Sequence, residues 1–114
     1  MKFNLLTSLS ASIAAVLAQE VSVEEWLNGD CNGRPFITAN LFAGVGGTSC
    51  VNIEQFPVTN IKLSLVTPCK DGSTPVVKIS SVECAKFKTD AVLIADGSCN
   101  SVDFDPWAFQ ISCN

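Results

Sequence analysis

Gly47-Thr48-Ser49-Cys50-Val51-Asn52-Ile53 returns later in the chain as Gly97-Ser98-Cys99-Asn100-Ser101-Val102, and each copy leads into an alternating apolar stretch. The first is followed by Ile61-Lys62-Leu63-Ser64, the second by Phe109-Gln110-Ile111-Ser112-Cys113. The six cysteines accordingly form two triplets, Cys31, Cys50, Cys69 and Cys84, Cys99, Cys113. The second copy is more tightly spaced, so the additional residues of the first belong in loops. One motif used twice, with matching half-cystines, predicts a small pseudo-symmetric domain stapled by disulfides.

The elements follow from apolar residues that recur every second position. Ile61, Leu63 and Leu65 alternate with Lys62 and Ser64, while Trp107, Phe109, Ile111 and Cys113 alternate with Ala108, Gln110 and Ser112. Successive side chains of a strand point to opposite faces, so both stretches read as half-buried strands, with Trp107 as a core anchor. Further strands are expected at Val21 to Trp26, Arg34 to Phe42, Ser49 to Ile53, Pro75 to Val82, Ala91 to Asp96 and Cys99 to Phe104. Turn signals separate them: Asn28-Gly29, Asn32-Gly33, Gly44 through Gly47, Asp71-Gly72 and Asp96-Gly97. Ser22-Val23-Glu24-Glu25 has the spacing of a helix capping box, but Asn28-Gly29 arrives too soon for a helix of useful length. Eight short strands predict an all-β sandwich. A ferredoxin-like α/β sandwich would need two amphipathic helices, and no segment is long enough to supply them.

The amino end indicates the compartment. Met1-Lys2 gives a positive start, Leu5 to Leu17 is mostly apolar, and Val16-Leu17-Ala18 precedes the polar Gln19-Glu20. This reads as a signal peptide, residues 1–18, cleaved after Ala18 to release an extracellular chain. The apolar run is shorter than the roughly 20 residues a spanning helix needs, and Thr7, Ser8, Ser10 and Ser12 dilute it, so no stable membrane anchor is expected. Removing 18 of the 114 residues leaves 96, enough for one domain over residues 19–114. An even cysteine count in an exported chain of this size reads as a disulfide framework. Lys2 leaves with the leader, so six basic residues face eleven acidic ones, a net charge of −5. Such a chain has no attraction to nucleic-acid phosphate or anionic lipid.

The residue types restrict the chemistry further. There is no histidine and no Cys-x-x-Cys pair, so a disulfide framework is expected over a zinc site, and the usual serine and cysteine nucleophiles lack their histidine base. Gly44, Gly46 and Gly47 lack the spacing and the following Lys-Ser/Thr of a phosphate cradle and read as loop glycines. Glu24 with Glu25 and Asp103 with Asp105 are the only paired carboxylates. The former pair points to opposite faces of a strand, and the latter reads as solvated loop acids beside Pro106. No catalytic residue, metal or cofactor is expected, and no Asn-x-Ser/Thr sequon occurs. Trp26 and Arg34, flanking the two Asn-Gly turns, are the candidate binding surface.

Trp26-Leu27-Asn28-Gly29-Asp30-Cys31-Asn32-Gly33-Arg34, the Ser49-Cys50-x-Asn52-Ile53 step and the ending Trp107-Ala108-Phe109-Gln110-Ile111-Ser112-Cys113 resemble the βγ-crystallin-like plant antimicrobial peptides of the macadamia type. The same architecture is found in a yeast killer toxin and is proposed for some secreted fungal effectors. The resemblance covers most of residues 19–114. It implies two Greek-key motifs, about 19–67 and about 68–114, packed so that the third strand of each joins the other's sheet. It also implies bridges that cross between the halves. The set Cys31 with Cys99, Cys50 with Cys84 and Cys69 with Cys113 respects a two-fold exchange. Cys69 has no match in the plant peptides, and six cysteines allow fifteen connectivities, so other pairings stay open at this level.

The chain departs from the family in two ways. Thr59-Asn60-Ile61-Lys62-Leu63-Ser64 and Asp105-Pro106-Trp107-Ala108-Phe109-Gln110 stand where crystallin calcium loops gather their oxygens, and neither supplies that set. The plant peptides are strongly basic, whereas this chain is acidic. The reading is therefore a secreted, monomeric, non-enzymatic protein of the fungal effector kind, directed at a host or environmental target. The alternative is an antimicrobial or killer-toxin-like protein acting on the wall or membrane of competing microbes.

Overall fold

The computed structural model describes residues 19–43 and 48–113. The leader over 1–18 and the reading of Gly44, Gly46 and Gly47 as loop glycines lie outside the described residues.

Eight strands follow one another: β1 Glu20–Trp26, β2 Ile37–Phe42, β3 Thr48–Asn52, β4 Asn60–Thr67, β5 Val76–Ser80, β6 Ala91–Ile94, β7 Asp96–Ser101 and β8 Ala108–Ser112. They form two four-stranded sheets, in the orders β2-β1-β4-β7 and β3-β8-β5-β6, and every pairing is antiparallel. β3, from the first half of the chain, lies in the sheet of the second half, and β7 makes the reciprocal crossing. The fold is thus all-β, with one strand exchanged each way.

Alternation decides which side chains meet between the sheets. On β1, Val21, Val23 and Glu25 are buried, while Glu20, Ser22 and Glu24 are half-buried on the other face. Across the ladders, Ile37, Glu25, Ile61 and Asn100 form one inward row of the first sheet. Ala91, Ile79, Phe109 and Val51 form its counterpart in the second. The core joins Val23, Leu41, Ile61 and Leu63 to Val77, Ile79, Phe109 and Ile111. Burying side chains of this size contributes about 1.5–3 kcal/mol each, which orients both sheets.

The pairings of the two halves correspond in register. Cys99 stands opposite Lys62 on β4, as Cys50 stands opposite Gln110 on β8. The bridges are Cys31–Cys99, Cys50–Cys84 and Cys69–Cys113, with Cα separations of 5.8, 6.0 and 5.8 Å. The first two tie each exchanged strand to the loop that follows the central strand of its host sheet. The third joins the segments after β4 and β8, which the exchange maps onto each other. They close loops of 68, 34 and 44 residues, and loops of that length correspond to about 4 kcal/mol each in the chain-entropy account.

Five expectations are corrected. The strand expected from Arg34 begins only at Ile37, since Pro35 fixes its own φ and donates no ladder hydrogen bond. Pro75 to Val82 shrinks to β5, because the Ser80 hydroxyl accepts from the N–H groups of Val82 (3.0 Å) and Lys88 (3.2 Å) and turns the chain, ahead of a single 3₁₀ turn at Cys84–Lys86. The strand expected at Cys99 to Phe104 runs instead from Asp96 to Ser101. Asp96-Gly97 is not a turn between strands but an irregularity inside β7, where the register against β4 shifts and Gly97 adopts φ +83°. Buried Ala95 alone carries the chain from one sheet to the other. Trp107, finally, lies before β8 and is half-buried rather than a core anchor. Its backbone extends the ladder instead, donating to Ser80 O (2.8 Å) and accepting from Ile53 N (2.7 Å).

Candidate functional site

β1 ends at Trp26, and the ten residues before β2 form a loop whose two ends are joined through the backbone. Phe36 N donates to Glu25 O at 2.7 Å, which extends the β1–β2 ladder beyond β2 itself. Within the loop, Asn32 N donates to Asp30 Oδ1 (3.3 Å), and Gly33 takes φ +72°, a left-handed conformation that glycine enters without a Cβ clash. The Asn32-Gly33 signal therefore becomes a turn that points Arg34 into solvent.

Three groups hold the loop down. The Cys31–Cys99 bridge fastens it to β7. The Trp26 indole N–H donates to Gly33 O at 3.4 Å. Thr59 N donates to Trp26 O (2.9 Å), the Thr59 hydroxyl donates to Asn28 O, and the buried Asn60 amide, assigned with its nitrogen toward the loop, donates to Asn28 O at 2.9 Å. Outside stand the apolar Leu27 and Phe36, at 40 % and 49 % exposure, and the cation of Arg34, beside the exposed polar positions Asn28, Asp30 and Asn32. Phe36 meets Phe56 edge to face, with centroids 4.8 Å apart at 84°, so its ring is fixed rather than free.

Of the two candidate binding residues, the structure keeps Arg34 at the surface and withdraws Trp26. Trp26 is 5 % exposed, covered by its own loop and by Lys62, whose Nζ stands 5.8 Å from the ring centroid. The expectation of a partly exposed Trp26 is corrected: the residue supports the loop from beneath. Leu27 and Phe36 were not singled out in the sequence. The signal was available, since both flank the segment that holds the two Asn-Gly turns.

Elsewhere three aspartates are committed to groups near them in sequence. Asp71 and Asp96 each accept from the hydroxyl and N–H of the serine two residues on, Ser73 (2.6 and 3.0 Å) and Ser98 (2.5 and 3.0 Å). The serine hydroxyl first, then the backbone N–H, holds both carboxyls below the usual value. Asp90 is lowered mainly by the Ser81 N–H at 2.7 Å, and it makes the one ion pair among the described residues, with Lys88 at 3.7 Å. Asp103 and Asp105 are exposed, and Glu24 and Glu25 lie on opposite faces of β1. Glu25 is fully buried, neither carboxyl oxygen has a hydrogen-bond partner, and burial pushes its pKa up to about 7. All six cysteines are bridged. Among the described residues no three acidic or sulfur groups gather as metal ligands, and no helix is long and apolar enough to cross a membrane.

No family model, no curated protein and no solved structure matches this chain. What the fold and site define is a class: an all-β, two-sheet domain with three disulfides and one fastened, partly apolar loop.

Proposed function

We propose that the chain is a secreted binding protein of βγ-crystallin-like Greek-key architecture, an extracellular effector of the fungal kind that engages a host or environmental target without catalysis. The reciprocal exchange of β3 and β7 supports the Greek-key reading, because it is the arrangement that two interlocked motifs over about 19–67 and 68–114 require. The single observation that carries the functional reading is the exposure of Leu27, Arg34 and Phe36 on one fastened loop. It offers apolar surface and a cation on a loop that bridge, indole and amide have already ordered. Binding through an ordered loop forgoes little conformational entropy, and exposed aromatic and arginine side chains dominate interface energetics.

The competing reading is a toxin acting on microbial walls or membranes. Attraction to anionic lipid requires a basic surface, and the outer face of the first sheet carries Glu20 and Glu24 against Lys62. Growth inhibition across a panel of fungi and bacteria separates the two readings, using the purified oxidised protein over residues 19–114 with reduced and alkylated protein as control. The effector reading expects no inhibition at micromolar concentration. Inhibition that disappears on reduction would establish the toxin.

A further inference from the structure

In the inward row of the first sheet Glu25 lies between Ile37 and Ile61. The two-fold exchange maps Ile61 onto Phe109 and Glu25 onto Ile79, which lies between Ala91 and Phe109 and is equally buried. A carboxyl therefore occupies a position that the other half of the molecule fills with isoleucine. It is the only ionisable side chain among the buried residues described, and both its oxygens are without a partner.

Nothing that faces it can neutralise a charge. On its own strand, Glu20 and Glu24 point to the opposite face. β2, β3, β6 and β8 carry no ionisable side chain besides bridged cysteine. Lys62 on β4 and Lys78 on β5 have outward parity, and Asp96 on β7 is exposed. In the adjoining loops Asp30, Arg34, Glu54, Asp103 and Asp105 are all exposed. An ionised Glu25 must then reach water, because an unpaired buried carboxylate is among the most costly groups a core can hold. Glu25 is the penultimate residue of β1, so the short route out is the end closed by the 27–36 loop.

We propose that Glu25 makes this end of the fold a proton-controlled clamp: with the carboxyl neutral the 27–36 loop closes on the sandwich, and on ionisation that end opens. The contacts that yield are Phe36 N to Glu25 O, Thr59 N to Trp26 O and the Trp26 indole to Gly33 O. The Cys31–Cys99 bridge limits the motion by keeping the loop attached to β7. Opening displaces Leu27, Arg34 and Phe36, so whatever surface they form depends on pH. The clamp does not rest on the identity of any target.

The direction of the linkage is fixed by burial. Below the ordinary value of 4.5 the carboxyl is neutral in folded and unfolded chains alike. Between 4.5 and about 7 the folded chain keeps a proton that the unfolded chain has released, so stability falls as pH rises. Above about 7 both forms are ionised and the loss is complete.

The test follows the Glu25 side-chain carbon by NMR through pH 4 to 9 in the oxidised protein, with amide exchange at Phe36 and Thr59 compared with that at Ile53 and Trp107. Urea denaturation of the wild type and Glu25→Gln across the same range accompanies it. The clamp predicts titration near 7, and exchange at Phe36 and Thr59 that outpaces the reference amides as pH rises. It also predicts a folding constant that falls about 300-fold in the wild type and less than about 3-fold in Glu25→Gln. Titration at the ordinary carboxylate value, or an equal pH slope in Glu25→Gln, would overturn it. Should Glu25→Gln fail to fold, the wild-type titration and amide exchange decide the matter alone.

Discussion

Trp26 and Phe36 close the two ends of one loop and have opposite duties. Trp26 is enclosed by the loop it anchors, so Trp26→Ala is expected to cost on the order of 3–5 kcal/mol in urea denaturation, the range for removing a large buried ring. Phe36 is half in solvent and loses chiefly its edge contact with Phe56. Phe36→Ala is expected to cost less than about 1.5 kcal/mol in the same measurement, while removing surface that a target would touch. A large destabilisation by Phe36→Ala would mean that this side chain is structural. Arg34 could be read from the Asn32-Gly33 turn, which presents the next residue to solvent. The burial of Trp26 could not, because it depends on a carbonyl seven residues away and on Lys62 of another strand. The burial of Glu25 was legible in principle. Val21 and Val23 set the inward parity, and two residues further on that parity falls on Glu25.

At the scale of the elements, alternation located the strands that lay one face against the core, whereas β7, exposed at every position but Asn100, was marked by the repeat around Cys99. The ends were misplaced where hydrogen bonds rather than burial decide, as at Ser80 and Gly97. Gly97 lies in the left-handed region with open space around it, so Gly97→Ala meets no clash beyond its own backbone. The expected cost is about 1–2 kcal/mol by thermal denaturation, together with a disturbed register between β7 and β4. Replacing Cys31 and Cys99 together with alanine removes the bridge that fastens the loop. The expected loss is on the order of 2–5 kcal/mol, with the first proteolytic cut moving into residues 27–36. Cleavage elsewhere first would show that the indole and amide contacts suffice. The bridge pattern itself came within reach of the sequence only through the two-fold exchange of the triplets, since spacing alone leaves fifteen pairings.

The molecule as a whole combines two opposing pH dependences. Asp71, Asp90 and Asp96 are held below their ordinary value of 3.8, so the stability they supply is present above it and lost as pH falls below it. Glu25 acts in the other direction, and stability declines from 4.5 to about 7. Denaturation midpoints are therefore expected to peak in mildly acidic solution, near pH 4 to 5, rather than at neutrality. A flat profile from 4.5 to 8 would contradict the buried carboxyl. The architecture was readable because it is built from repetition and alternation, both of which are local in sequence. The exposure of Leu27 and Phe36 around a buried Trp26 was not, because it depends on contacts between loops that the sequence does not place together. The most direct measurement is saturable binding of labelled, oxidised protein to intact host tissue, compared with reduced protein and with an Arg34→Ala/Phe36→Ala variant of unchanged stability. The account predicts saturable binding that is lost in both comparisons. Binding that survives in the folded variant would contradict the claim that the exposed residues of this loop carry the function.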